Sequence, residues 1–441
     1  MGSYIPVNEA DRREMLAAIG VEEPADLYAD IPAAVRLQGG LDLPTGLPEQ
    51  AVRRQMTHLA RRNRPYETVL RGAGSYRHYI PAAVSQIAAK ENFLTCYTPY
   101  QAEISQGVLQ GIFEFQTMIA DLTTMDAANA SVYDGATAAG EAMAMSRERK
   151  KTKVLCAGTV NPMIAQVMAT YAGGANAPFD MVPEADGRID MAALQAALKD
   201  PEVCALYVES PNYYGLIENM STVSETVHAA GARLIFGANP LALAIYESPA
   251  AFGADIVVGD GQPLGLPMHY GGPSVGFMAT TKKLMRRLPG RIVGETVDAE
   301  GNRAYVLTLQ AREQHIRREK ASSNICSNQA LCALTTAIYM SLMGPDGLRD
   351  VALQSRAKAH YFADQLAGLG YRRLHDGPFF HEFVTTTPLP CDRVVEILAA
   401  EGILSGLPLA EDRMLWCVTE AVRKEELDLA IDRLKEAAQW N

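Results

Sequence analysis

Residues 251–281 read AFGADIVVGDGQPLGLPMHYGGPSVGFMATT. Small residues lead into an apolar run, Ala254-Asp255-Ile256-Val257-Val258-Gly259, short enough for a buried strand. Asp260-Gly261-Gln262-Pro263 then has turn chemistry, a glycine-rich loop follows, and Ser274 to Ala279 reads as a second strand. A strand, loop and returning strand at this point of an α/β chain is where one class of enzymes carries a Schiff-base lysine. This chain has no lysine between Lys199 and Lys282. No primary amine of the stretch can therefore hold an aldehyde cofactor covalently.

The segments before it alternate. Strand Val154 to Ala157 precedes a helix opened by Asn161-Pro162, a cap followed by proline at the first helical position. Strand Phe179 to Val182 leads to helix Asp190 to Leu198, and strand Ala205 to Glu209 leads to helix Ser221 to Ala230. Strand Arg233 to Phe236 then runs into the opening stretch. Repeated strand-then-helix units predict a largely parallel sheet covered by helices on both faces. Beyond the stretch, Gly290 to Leu309 reads as a hairpin turning at Ala299-Glu300-Gly301-Asn302. A charged helix is expected over Gln310 to Lys320 and an apolar one from Ala330. Helices Leu348–Leu369 and Arg393–Glu401, strands near Phe380–Thr385 and Met414–Val418, and a last helix Lys424–Ala438 compose a second, α+β region. The domain expectation is an N-terminal helical arm over 1–65, a large α/β domain over 66–320 and a small α+β domain over 321–441.

Toward the N-terminus, Asn8 caps a helix that Gly20 stops, and a second helix follows Pro48 through Ala60. Leu70 to Pro81 is a loop of glycines and aromatics held by side chains, and His78 within it reads as a hydrogen-bonded structural residue. Phe93 to Gly107 is a tyrosine-rich, proline-kinked loop feeding a helix from Val108, suited to presenting side chains to a partner or ligand. Ala130 to Ala142 enters a helix of small residues at Gly135, whose first backbone N–H groups could bind an anion.

Composition bounds the function. A chain of 441 residues, 48% hydrophobic, buries a large core. The net charge of -11 argues against binding nucleic-acid backbone, and the local basic pairs fall on helix faces. The apolar run from Ala330 to Met343 is too short to span a bilayer, so no membrane association is expected. No secretory pattern opens the chain, and Pro6 stands where a myristoylation signal has Ser or Thr. Seven scattered cysteines, without a Cys-x-x-Cys pair, point to reduced thiols in a cytoplasmic protein and to no metal site.

Four runs carry a family resemblance. They are Tyr97-Thr98-Pro99-Tyr100-Gln101-Ala102-Glu103-Ile104-Ser105-Gln106-Gly107 with Phe115-Gln116-Thr117; Pro289-Gly290-Arg291-Ile292-Val293-Gly294; Arg312-Glu313-Gln314-His315-Ile316-Arg317-Arg318-Glu319-Lys320-Ala321; and Ser323-Asn324-Ile325-Cys326. With them the chain resembles the glycine-cleavage P-protein, the decarboxylating glycine dehydrogenase. Its length resembles the N-terminal half, the first or alpha subunit where that enzyme is split in two. The resemblance implies the aspartate-aminotransferase-like fold of type I pyridoxal-phosphate (PLP) enzymes, with a large mostly parallel α/β domain and a smaller C-terminal one.

It also implies two losses. The family's cofactor-binding half has an Asp-Gly-Ala-Asn motif on the pyridine nitrogen and a His-Lys pair for the Schiff base. Here Phe236-Gly237-Ala238-Asn239 matches the first with Phe236 for the aspartate, and Gln262-Pro263 falls at the second, with Pro263 at the lysine. The expectation is a subunit with no covalently bound cofactor. Its partner, a catalytic beta subunit in an α2β2 assembly, would bind PLP, decarboxylate glycine and pass the aminomethyl group to the lipoyl arm of H-protein. Tyr97, Thr98, Tyr100, Gln101, Glu103, Ser323, Asn324 and Cys326 are then candidates to complete the partner's pocket. Two alternatives stand beside this reading: a purely structural or regulatory partner, and an independent PLP enzyme using Lys282 or Lys320.

Overall fold

The computed structural model describes residues 6–37, 39–96 and 99–439. The chain divides into two compact units, Met1–Arg64 and Pro65–Asn441. The first carries helices α1 (Glu9–Ile19) and α2 (Glu49–Ala60). The Asn8 side chain accepts from the N–H groups of Ala10 and Asp11, and Gly20 ends α1 at φ 76°, as the cap and stop residues predict.

The second unit is built on a seven-stranded sheet. In chain order its strands are β1 (Ala127–Ala128), β2 (Lys153–Ala157), β3 (Phe179–Val182), β4 (Val203–Glu209), β5 (Arg233–Gly237), β6 (Ile256–Asp260) and β7 (Gly276–Thr280). The spatial order is β1-β7-β6-β5-β4-β2-β3. Pairings from β6 through β3 are parallel, while β7 runs antiparallel to both β6 and β1. The returning strand of the opening stretch is thus the antiparallel member of the sheet. Ile256, Val257 and Val258 are all fully buried. Both faces of β6 are covered, so its apolar residues run continuously instead of alternating.

Helix α3 (Gln106–Thr123) precedes the sheet, and the helices between its strands are α4 (Gly135–Ser146), α5 (Pro162–Gly174), α6 (Met191–Ala197) and α7 (Met220–Ala229). Helix α4 supplies buried Ala138, Ala139, Ala142 and Met143 to the sheet's core. Its small residues let it approach closely: a side chain at Gly140 would meet the Tyr171 ring of α5 at 2.9 Å. A hairpin, β8 (Val293–Val297) and β9 (Arg303–Leu307), lies where the turn residues place it.

The expected continuous helix over Gln310–Lys320 is replaced by three short turns, Gln310–Arg312, Gln314–Arg317 and Arg318–Lys320. Arg318 has φ 54°, which breaks a helix, and the side chains of Arg312 and Glu313 are drawn into long-range contacts described below. The next helix, α8 (Ala330–Ala367), joins the two helices read from the sequence across a kink at Gly344, followed by Pro345.

A separate core forms around β10 (Glu382–Thr386), β11 (Leu407–Ala410), β12 (Arg413–Cys417), α9 (Cys391–Ala400) and α10 (Lys424–Gln439). Trp416 at its centre is fully buried and donates its indole N–H to Thr385 Oγ1 at 2.9 Å. Chain preceding the sheet joins this core, because Thr68 and Val69 pair in parallel with Ile403 and Leu404. The 70–76 loop therefore leaves the second core and crosses to the ends of the sheet strands.

Candidate functional site

The carboxyl ends of parallel strands are where an open α/β sheet places ligands. A cavity of about 410 Å³ opens there. Its wall is Asn161 after β2, Glu209 and Tyr213 at and after β4, Gly237 to Pro240 after β5, and Gly259, Asp260 and Pro263 at β6. Asp134, Gly135 and Ala136 at the start of α4, the 73–76 loop, and His381 and Glu382 of the second core close it.

Three carboxyl side chains line this space, Glu382 buried and Glu209 and Asp260 largely so. Glu209 Oε1 accepts from the Tyr207 hydroxyl at 3.0 Å and its Oε2 from the Asn161 N–H at 2.9 Å. Glu382 Oε1 accepts from the Ala73 N–H at 2.7 Å and its Oε2 from the Tyr76 hydroxyl at 2.7 Å. Asp260 accepts from the N–H groups of Gly135 and Gln262, at 2.9 Å each, and from the Ser274 hydroxyl. Burial pushes Glu209 and Glu382 up to about 7, and Glu382 also feels the charge of Glu209. Burial raises Asp260 as well, and it pushes Tyr76 and Tyr207 well above the ordinary phenol value. His381, 2% exposed, is held neutral by desolvation, and its Nε2 has no hydrogen-bond partner among the described residues.

The degenerate positions now have places. Pro263 lines the cavity. Gln262 is buried and stitched to the crossing loop, donating to the carbonyls of Tyr76 and Leu266 at 2.8 Å and accepting from the Tyr76 N–H at 2.9 Å. Phe236 lies opposite Val208 and Val257 and is buried in the sheet's core, while its neighbour Gly237 faces the cavity. A Cβ at Gly237 would stand 2.5 Å from the Tyr207 hydroxyl and 2.7 Å from Glu209 Cγ. The Tyr207–Glu209 pair thus occupies the room that a side chain on β5 would use. At α4, the anion-binding start expected from the glycine-opened helix is taken by the chain itself: Asp260 receives the Gly135 N–H, and Asp134 Oδ1 the Thr137 N–H at 2.7 Å.

Of the interface candidates, Tyr97 and Thr98 lie outside the described residues. Gln101 and Glu103 are exposed. Tyr100 and Cys326 are brought together by Arg291, whose guanidinium sits 4.9 Å over the Tyr100 ring and donates from Nε to the Cys326 carbonyl at 3.1 Å. The Tyr100 hydroxyl donates to Asn328 Oδ1 at 2.5 Å, and Asn324 Oδ1 accepts from Gln314 at 3.3 Å. Ser323 Oγ accepts the Ile325 N–H at 3.1 Å. Arg291 also pairs with the buried Glu313, and Arg312 donates to the carbonyls of Leu288 and Gly290. Tyr100 thus meets residues of the much later segment 288–328 at one place. His78, read as structural, bonds through Nδ1 to Glu420 Oε2 at 2.6 Å and is buried. Lys282 is exposed and follows β7, and Lys320 is exposed too; neither lines the cavity.

A family model described as "Glycine cleavage system P-protein" matches residues 2–434. The chain belongs to the glycine cleavage system P-protein family. A relative from Listeria monocytogenes serotype 4b, "Probable glycine dehydrogenase (decarboxylating) subunit 1", is 47% identical over 444 residues, covering 98% of this chain and 99% of the relative. A solved P-protein, "glycine decarboxylase (P-protein) of the glycine cleavage system, in inhibitor-bound form", superposes with a TM-score of 0.90 at 42% identity, covering 99% and 100% of the two chains. The aspartate aminotransferase of Thermus thermophilus, 15% identical, shares the fold with a TM-score of 0.58 over 85% of this chain and 99% of its own. The resemblance carried by the four runs and the aminotransferase-like fold both hold. So does the expectation of an enzyme chain of the decarboxylating glycine dehydrogenase class.

P-proteins as a family are PLP-dependent, and the residues of this cavity do not fit that cofactor. Among the described residues no lysine or arginine lines it, the start of α4 that would face a phosphate is filled by Asp134 and Asp260, and Glu209 and Glu382 add carboxyl groups instead of cations. A phosphate dianion entering would meet carboxylates where it needs donors.

Proposed function

We propose that this chain is the subunit of a two-chain glycine decarboxylase that holds no cofactor. It assembles as α2β2 with a second, lysine-bearing subunit in the cytoplasm. The partner's PLP supplies the decarboxylation of glycine, and the aminomethyl group passes to the lipoyl arm of H-protein. The observation that carries this reading is a complete aminotransferase-type core whose cofactor position holds Pro263 and carboxylates instead of an amine. The cluster of Tyr100, Arg291, Cys326 and Asn328 supports a role for Tyr97, Thr98, Tyr100, Gln101, Glu103, Ser323, Asn324 and Cys326 in finishing the partner's pocket. Tyr100, Asn324 and Cys326 are held by hydrogen bonds to Asn328, Gln314 and Arg291, and Gln101, Glu103, Asn324 and Cys326 are exposed.

Co-expression with a candidate lysine-bearing subunit tests the proposal. The two chains should copurify, neither alone should release CO2 from glycine, and the mixture should do so in the presence of lipoylated H-protein. An aldimine absorbance band on this chain alone after incubation with PLP overturns it. Alanine at Tyr97 or Glu103 then separates the contributing role from a purely structural one, since the structural reading requires unchanged turnover in an intact complex.

A further inference from the structure

A cavity closed to an anionic cofactor still has walls, volume and charge. Its volume, about 410 Å³, is ample for a small molecule. Its buried carboxylates are not neutralised by any cationic side chain of the lining. Glu209 and Glu382 take their hydrogen bonds from two phenols and two backbone N–H groups, all neutral. His381, 2% exposed, lines the same cavity as a neutral imidazole and supplies no cation either. Ile164, Pro240 and Tyr213, together with the largely exposed Met163, add apolar surface to the lining.

We propose that this cavity binds a small organic monocation, a primary ammonium on an apolar body, with the ammonium between Glu209 and Glu382 and the body against Met163 and Ile164. The ammonium supplies the donors and the positive charge that the two carboxylates lack, and the apolar body displaces water from that apolar surface. A zwitterionic amino acid is excluded, because no cation in the lining receives its carboxylate. This inference concerns residues of this chain alone and stands apart from the assignment of a catalytic partner.

Calorimetric titration of the full-length chain at pH 8 tests it with three probes of one shape: benzylamine, benzyl alcohol and benzoate. Benzylamine should bind one-to-one at least about tenfold tighter than benzyl alcohol, the factor expected when a charge-assisted bond replaces a neutral one, and benzoate should not bind. Glu209→Gln and Glu382→Gln should each cost benzylamine about tenfold and leave benzyl alcohol unchanged. On the unsubstituted chain carrying 13C-methyl methionine, the Met163 resonance, assigned with Met163→Leu, should shift saturably with the same affinity. That readout needs no variant in the carboxylates to fold. Benzylamine binding no tighter than benzyl alcohol, or binding without a Met163 shift, overturns the proposal.

Discussion

Replacing Glu382 by Gln should reverse its effect on stability between acid and alkaline pH. Glu382 is fully enclosed and sits at about 7 when folded, against an ordinary 4.5, mainly because burial penalises its charge. The folded state therefore holds its proton to higher pH than the unfolded state does, so stability falls as pH rises from about 4.5 through 7 and levels off above. The gap corresponds to a penalty of roughly 3 kcal/mol at pH 8 and under about 1 kcal/mol at pH 5. Glutamine carries no such penalty. It keeps one acceptor for either the Ala73 N–H or the Tyr76 hydroxyl and loses the other, at a cost of about 1 to 2 kcal/mol. E382Q should thus be about 1 to 2 kcal/mol more stable than the parent at pH 8 and slightly less stable at pH 5. Urea unfolding followed by the fluorescence of Trp416, buried beside the same strand, reads both. Glu209, pushed by burial from the ordinary 4.5 up to about 7, acts in the same direction, so the parent's own curve should show the downward slope between pH 5 and 7. An E382Q-minus-parent difference that is the same at both pH values refutes the buried-charge account.

Other perturbations have equally definite outcomes. Gly215 has φ +84°, and a Cβ there would fall on the Glu382 carbonyl oxygen; Gly215→Ala should cost roughly 3 kcal/mol, from left-handed strain plus overlap. The matched control Gly402→Ala, at φ +71° with open space around it, should cost only about 1 kcal/mol in the same urea assay. Arg291→Ala leaves Glu313 buried without its cation and should destabilise by about 3 kcal/mol, most of it recovered in Arg291→Met with Glu313→Gln. Of the seven cysteines Cys326 is exposed and Cys96 partly so, while the rest are buried. Ellman's reagent should therefore react rapidly with one thiol, the fast phase should vanish in Cys326→Ser, and a lysine-bearing partner covering this face should slow it.

What the sequence disclosed follows the range of the forces involved. Asn8, Gly20 and Asn161-Pro162 act on backbone within a turn of themselves, and the elements they bound form where those residues place them. The parallel sheet was legible from the apolar runs of β2, β4, β5 and β6, which are unbroken because both faces are covered. The helix over Gln310–Lys320 failed because two of its charged residues, the half-buried Arg312 and the buried Glu313, turn inward instead of facing water. Arg312 reaches the carbonyls of Leu288 and Gly290, and Glu313 reaches Arg291, contacts no local pattern encodes. The short strand Leu407–Ala410 escaped for a similar reason: its place is given by pairing with β12, not by its own residues. Within the cavity, Pro263 could be read from the missing lysine. Glu209, a carboxylate ending a buried parallel strand, carried a signal that position alone makes meaningful. Glu382 carried none, because its phenol partner Tyr76 is 306 residues away in sequence.

The Tyr207–Glu209 pair under Gly237 has a consequence for redesign. Restoring an amine at position 263 would not by itself rebuild a working cofactor pocket. An acid introduced at 236 would be buried in the sheet's core opposite Val208 and Val257, any side chain at 237 would collide with the Tyr207 hydroxyl, and any phosphate would still face Asp260 and Asp134 at the helix start. A cofactor pocket at this place would therefore need several simultaneous changes, each harmful to folding on its own.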